Sequence, residues 1–239
     1  MPSVTRCYGV AMTTVCPSRN AVTIGSHICA LDDWSNGGHN PLPMRASHPH
    51  IRRHILDAGR ALIARKGFVA VGLNEILTTA EIPKGSFYHY FGSKESFGSE
   101  LLQQYVADYA VRLDELFGRP GVNGRDKLLS YWAAWQQEQL DQDGDEKCLV
   151  VKLSAEVGDL SDEMRVVLRD GVDRLMVRLA SVIEEGQADG SLSPEIRARE
   201  AAELLYHMWL GAALITKLRQ DGSAMAQAMA VTQSVLRAA

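Results

Sequence analysis

The chain has 239 residues, 46% of them hydrophobic and 23% charged, and a formal net charge of −4. This is the composition of an ordinary soluble globular protein of one or two domains, and its acidic balance excludes a protein that coats nucleic acid indiscriminately. No apolar run reaches the ~18 residues that a membrane span needs.

The longest apolar run, residues 208–216, is flanked by His207 and Lys217, and the N-terminus lacks the continuous apolar core of a signal peptide, so a cytoplasmic protein is expected. Cys7, Cys16, Cys29 and Cys148 show neither a C-x-x-C pair nor another zinc spacing, and their even number does not imply disulfides. Charge is unevenly spread: from Arg45 to Glu95 there are eight Lys or Arg against four acids, a locally basic segment on an acidic body.

Residues 1–47 show no 3.6-residue periodicity and contain clusters such as WSNGGHNPLP; they read as disordered, or as lying upstream of a true translation start at Met44. His50 and His54 stand four apart, but no Cys or carboxylate completes a metal set, so no metal is expected. A first helix is predicted over 49–66, with Ile51, Ile55, Ala58, Leu62 and Ile63 on one stripe and Arg52, Arg53, Arg60 and Arg65 off it. Gly67 supplies the left-handed residue that ends it. For Arg52 and Arg53, phosphate contact and a merely solvated helix face both stand.

Residues 73–94, LNEILTTAEIPKGSFYHYFGSK, organise the chain. Two short apolar-periodic segments flank a turn at Glu81 and Ile82, which is the pattern of a helix-turn-helix. Pro83 suits the first helical turn, and Gly85 lets another molecule approach the backbone closely. Phe87 and Phe91 share a face, which leaves Lys84, Ser86, Tyr88, His89 and Tyr90 pointing elsewhere: hydroxyls, an imidazole and an ammonium suited to phosphates and base edges. Ser93 caps the next helix, and Lys94 in its first turn opposes the helix dipole unless an anion is near. An aromatic-rich surface helix packed on another domain is the blander alternative.

The stretch PKGSFYHYFGSKESF resembles the third and fourth helices of the TetR family of bacterial repressors, and the similarity covers about 48–118. The resemblance implies an all-α fold with an N-terminal three-helix, helix-turn-helix domain at 48–95 and a C-terminal helical ligand and dimerisation domain at 96–239. It also implies that Lys84, Gly85, Ser86, Tyr88, His89, Tyr90 and Lys94 meet DNA, mostly at phosphates, with Asn74 able to reach the groove. Glu81 departs from the pattern, since many members carry glycine in the turn.

The helix opened by Ser93 continues through Phe97, Leu101, Tyr105, Tyr109, Leu113 and Leu116 until Gly118, Pro120 and Gly121 stop it. At about 25 residues it spans nearly 40 Å, long enough to connect two domains as a rod. A helix over 125–141 carries Trp132 and Trp135 on one face, which either pack the core or, with Tyr206 and Trp209, line an effector cavity. The acidic turn DQDGDE fails as a calcium loop, because Gly144 falls at the fourth position and not the sixth.

Cys148 opens an apolar-periodic segment beside Lys147 and one turn from Lys152, features that favour the thiolate, whereas Asp145 and Glu146 oppose it. A reactive thiol and a small buried hydrophobe are both open on chemistry alone. The segment 148–165, with WLGAALITK near the end, resembles the electrophile-responsive NemR branch of the same family, with the AcuR type related. That resemblance implies that Cys148 is the sensor and that Lys217 works with it, although a lysine closing an apolar helix also suits the C-terminal dipole. Three further helices are predicted over 162–187, 194–219 and 222–238, the last two offering apolar faces to a four-helix homodimer interface or to the internal core.

The expectation is a homodimeric repressor on a palindromic operator, released by an electrophile or oxidant at Cys148, without cofactor or membrane partner. Its alternative keeps the repressor and places a small non-covalent effector in the aromatic cavity. An enzyme using Cys148 with His207 as base is disfavoured, since no residue pattern orients that histidine.

Overall fold

The computed structural model describes residues 48–140 and 149–238 of the unit Ala46–Ala239. The disorder or upstream start expected for 1–47, the acidic turn after 140 and Cys148 itself lie outside the described residues. Among those described, nine α-helices and no strand occur: α1 His48–Lys66, α2 Leu73–Thr79, α3 Lys84–Phe91, α4 Lys94–Phe117, α5 Gly124–Leu140, α6 Leu149–Leu160, α7 Asp162–Ala188, α8 Ala198–Arg219 and α9 Ser223–Val235.

Local chemistry sets the breaks. Gly67 ends α1 at φ +90° and donates its N–H to the Ile63 carbonyl at 2.8 Å. The Ser93 hydroxyl accepts the Ser96 N–H at 3.0 Å to open α4, and Ser161 accepts that of Met164 at 3.3 Å to open α7. Pro83 sits one position earlier than its predicted place within α3: with ψ at 150° it is the extended residue before the helix. Helix α8 also begins later than predicted, after Arg197. The Gln187 amide donates to the carbonyls of Ser193 (3.1 Å) and Ile196 (2.7 Å), holding Pro194 in a separate turn.

Two apolar cores are built on α4. The first joins α1, α2 and α3 to the start of α4 and centres on Phe87, Phe91 and Phe97, whose rings lie 5.1–5.3 Å apart. The second joins the end of α4 to α5, α7, α8 and α9 around Trp132, Trp135 and Trp209. Helix α6 contributes to the first core. Its Leu149, Leu153 and Val157, with Met164 and Leu168 of α7, are buried in the first core. Helix α6 itself packs chiefly along α7, and through that shared core it adjoins the helix-turn-helix.

Candidate nucleic-acid interface and its controlling helices

Helix α3 separates packing from presentation by its period. Phe87 (0% exposed) and Phe91 (5%) face the core, whereas Lys84, Tyr88 and His89 are exposed and Ser86 and Tyr90 are half-buried. The Lys84 ammonium lies 5.9 Å from the centre of the Tyr88 ring. Gly85 is exposed, and a Cβ there would meet no atom within 4 Å. Internal packing therefore does not require glycine, although glycine costs ~0.5–1 kcal/mol in a helix. Asn74, also exposed, opens α2 across the turn.

That turn passes through Glu81 at φ +51°, the left-handed region where glycine is the usual occupant. Helix α3 is held despite this by the Ile82 N–H donating to Leu77 at 3.1 Å and by Phe87 packing under it.

Lys94 is placed differently from the rest of the set. Its ammonium donates to the Phe68 carbonyl at 2.9 Å and sits 4.5 Å from the centre of the Phe68 ring. Burial holds it below the usual lysine value, while Glu95 and Glu156 act the other way. In the single chain Lys94 thus braces α4 against the α1–α2 connection.

Glu156 of α6 reaches the same connection. Its carboxylate accepts the Val69 N–H at 3.0 Å and lies against Gly67, where any Cβ would collide with it. Helix α6 thus grips the helix-turn-helix by an apolar stripe and by one carboxylate. Sequence reading passed over Glu156, because an acid beside an apolar stripe looks like a solvated face; the neighbouring glycine is the only signal, and it is equally explained by its φ. Arg52 and Arg53, left open above, pair with Glu100 and with Asp108 (2.8 Å). His54 Nε2 lies 3.1 Å from the Ala80 carbonyl oxygen. Among the described residues no cluster of three potential metal ligands occurs, and no helix is long and apolar enough to cross a membrane.

Of the aromatic residues proposed for a cavity, Trp135 and Tyr206 border one, and Trp132 and Trp209 do not. Those two rings stack 5.0 Å apart at 12°, both fully buried, with the Trp209 indole N–H donating to Thr232 at 2.8 Å. They fill the second core because two flat indoles facing each other leave no gap between α5 and α8. The cavity lies one layer away, about 160 Å³ between α4, α5, α7 and α8, with Tyr105, Tyr109 and Tyr131 on its wall. Those tyrosines read in the sequence as ordinary stripe residues. Lys217 is exposed in the last turn of α8, and Cys148 immediately precedes α6 in the chain.

Comparison with known proteins agrees with this architecture. Residues 55–101 match the family described as bacterial regulatory proteins, tetR family, and residues 124–232 match the tetracyclin repressor-like C-terminal domain. The chain is 38% identical to the HTH-type transcriptional repressor NemR of Escherichia coli (strain K12) over 77% of its own length and 93% of that protein. It is 36% identical to the transcriptional regulator AcuR of Cereibacter sphaeroides over 69% of its length and 75% of that protein. The crystal structure of E. coli NemR in its reduced form superimposes with a TM-score of 0.75 at 37% identity, covering 80% of this chain and 98% of that one. The exposed polar row on α3, the two-core helical body and these matches together make the chain a member of the TetR family of DNA-binding transcriptional repressors, which are regulators and not enzymes.

Proposed function

We propose that the protein is a homodimeric repressor that leaves its operator when an electrophile or oxidant modifies Cys148. The observation that carries this is the placement of α6. The helix that starts one residue after Cys148 packs along α7, shares the first core with the helix-turn-helix through Leu149, Leu153 and Val157, and accepts the Val69 N–H of the α1–α2 connection on Glu156. In the covalent step the Cys148 thiolate adds to the activated carbon of a quinone or maleimide. The C–S bond forms as the C=C electron pair moves toward the carbonyl oxygen, which then takes a proton. A thiolate at a helix N-terminus beside lysines is suited to that attack, and Lys217 is the cation assigned to it. The NemR relative, described in a reduced form, supports a thiol-based signal.

On DNA, Lys84, Gly85, Ser86, Tyr88, His89 and Tyr90, with Asn74, form the contact set, and Lys94 positions them. One α3 of eight residues reads few base pairs, so two copies on half-sites about one helical turn apart give a palindromic operator. Helix α8 supports the dimer: Leu204, Leu214, Ile215 and Leu218 are 38–79% exposed along it, an apolar face that a second copy would cover. A second reading places a non-covalent effector in the cavity beside α4.

The test is a mobility shift of the full chain on the DNA upstream of its own gene, with and without a maleimide. Salt-dependent binding lost on thiol modification is expected. Absence of binding to that fragment at low salt contradicts the reading.

A further inference from the structure

We propose that His54 of α1 is a positioning residue for DNA reading: by donating a hydrogen bond to the Ala80 carbonyl it holds the left-handed turn between α2 and α3, and with it the angle of α3. This rests on α3 being the DNA reader and is independent of the thiol at Cys148. The contact joins residues 26 apart in the chain, His54 Nε2 standing 3.1 Å from the Ala80 oxygen. A carbonyl oxygen only accepts, so the ring nitrogen that faces it carries the proton, and the neutral ring is the Nε2–H tautomer.

Ala80 is where the backbone of α2 runs out of partners. It is the C-cap of that helix, and the carbonyls before it are answered within the turn: Ile76 accepts the Ala80 N–H at 2.9 Å, Thr78 that of Glu81 at 3.3 Å and Leu77 that of Ile82 at 3.1 Å. Among the described residues no backbone N–H of the turn reaches the Ala80 oxygen, and the imidazole supplies the donor. The same peptide unit leads into Glu81, whose φ of +51° costs a residue other than glycine free energy. A tie on that peptide from outside the turn opposes relaxation of the strain.

The anchor is firm and aimed at the reader. His54 is followed by Ile55 and Leu56, which are 0% and 4% exposed, so the ring is carried on a helix fixed in the first core. The polar residues on either side of it turn to α4 instead: Arg53 pairs with Asp108 at 2.8 Å, and Asp57 accepts from Gln104 at 2.9 Å. Helix α3 begins at Lys84, four residues after Ala80, so backbone rotation at Glu81 would turn Lys84, Ser86 and Tyr88 together. Phe87 and Phe91 set how deeply α3 sits, but apolar burial has no direction, whereas a hydrogen bond on the turn does.

The experiment compares operator with unrelated DNA. Dissociation constants of the full chain, as wild type, His54→Leu and His54→Gln, are read by mobility shift on the fragment upstream of its own gene and on an unrelated duplex of equal length. The imidazole nitrogen resonances of the wild type are recorded without DNA. Leucine fills much of the ring's volume without a donor, whereas the glutamine amide nitrogen donates from a similar reach. Expected are at least tenfold weaker operator binding by His54→Leu with unrelated DNA within twofold of wild type, His54→Gln within threefold of wild type on both, and a proton on Nε2. In a Glu81→Gly background, where the turn carries no strain, His54→Leu should cost no more than threefold. A direct phosphate contact would weaken both duplexes alike. Unchanged operator binding by His54→Leu, equal loss on both duplexes, His54→Gln as weak as His54→Leu, an undiminished cost beside Glu81→Gly, or a bare Nε2 overturns the proposal. Should His54→Leu not fold, tenfold weaker operator binding by His54→Gln or a bare Nε2 still overturns it. A wild type without preference for the fragment would instead strike the DNA reading, and the imidazole result stands apart from that.

Discussion

Gly85 and Glu81 sit four residues apart and pose opposite problems. At Gly85 the backbone is helical and open space surrounds the position, so glycine is retained at a cost in helix stability. Gly85→Leu is expected to leave thermal stability unchanged or raised by up to ~1 kcal/mol while reducing DNA affinity at least tenfold; equal affinity would show that nothing approaches that face. At Glu81 the backbone is left-handed and the residue is not glycine. Glu81→Gly relieves roughly 1–2 kcal/mol of strain and gives back about 0.4–1 through a freer unfolded chain, for a net gain of roughly 0–1.6 kcal/mol. Denaturant unfolding measures it, and a loss of stability would mean the carboxylate has a role beyond the turn. The exposed row on α3 could be read from sequence because Phe87 and Phe91 fix its phase. The orientation of Lys94 could not: a first-turn lysine is compatible with an outside phosphate or an inside carbonyl, and only the position of Phe68 decides.

At the scale of elements, helix boundaries followed caps and glycines closely, since Ser93, Ser161 and Gly67 act on their own neighbours. Helix α8 is the exception, and its delayed start depends on the Gln187 side chain contributed by α7. The role of α6 was invisible for the same reason. Its stripe of Leu149, Leu153 and Val157 shows that it packs, but periodicity does not say on which core. Glu156→Ala is expected to keep the fold while uncoupling α6 from the α1–α2 connection, weakening DNA binding severalfold; unchanged affinity and unchanged effector response would assign the contact to packing alone. Asp189 fastens the end of α7 to the start of α5: hydrogen bonds from Ser191 and from the Gly124 N–H (2.8 Å) hold its carboxyl below the ordinary value. A lowered carboxyl stabilises the fold above its unfolded-state value and loses that contribution as pH falls through the folded-state value. The melting temperatures of wild type and Asp189→Asn should therefore differ at neutral pH and converge on acidification; a constant gap would locate the effect elsewhere.

For the whole molecule, the all-α architecture was legible in periodicity and in one motif. The wiring between reader and body was legible only in part. A long α4 suggested a single rod, whereas the reader is held from two sides, by α4 through Phe97 and by α6 through Glu156 and its buried stripe. Cys148 precedes α6 in the chain, and the cavity lies on the α4 side. Dissociation of the dimer should follow Leu218→Glu if α8 forms the interface, because Leu218 is 79% exposed in the single chain; an unchanged sedimentation coefficient would move the interface to another face.

The central claim is that the thiol at the head of α6 controls the grip on DNA. Release of the operator fragment by a quinone, measured by mobility shift on wild type and Cys148→Ser at equal DNA occupancy, tests it most directly. The account predicts release of the wild type and retention of the variant; release of both at the same quinone concentration would contradict it.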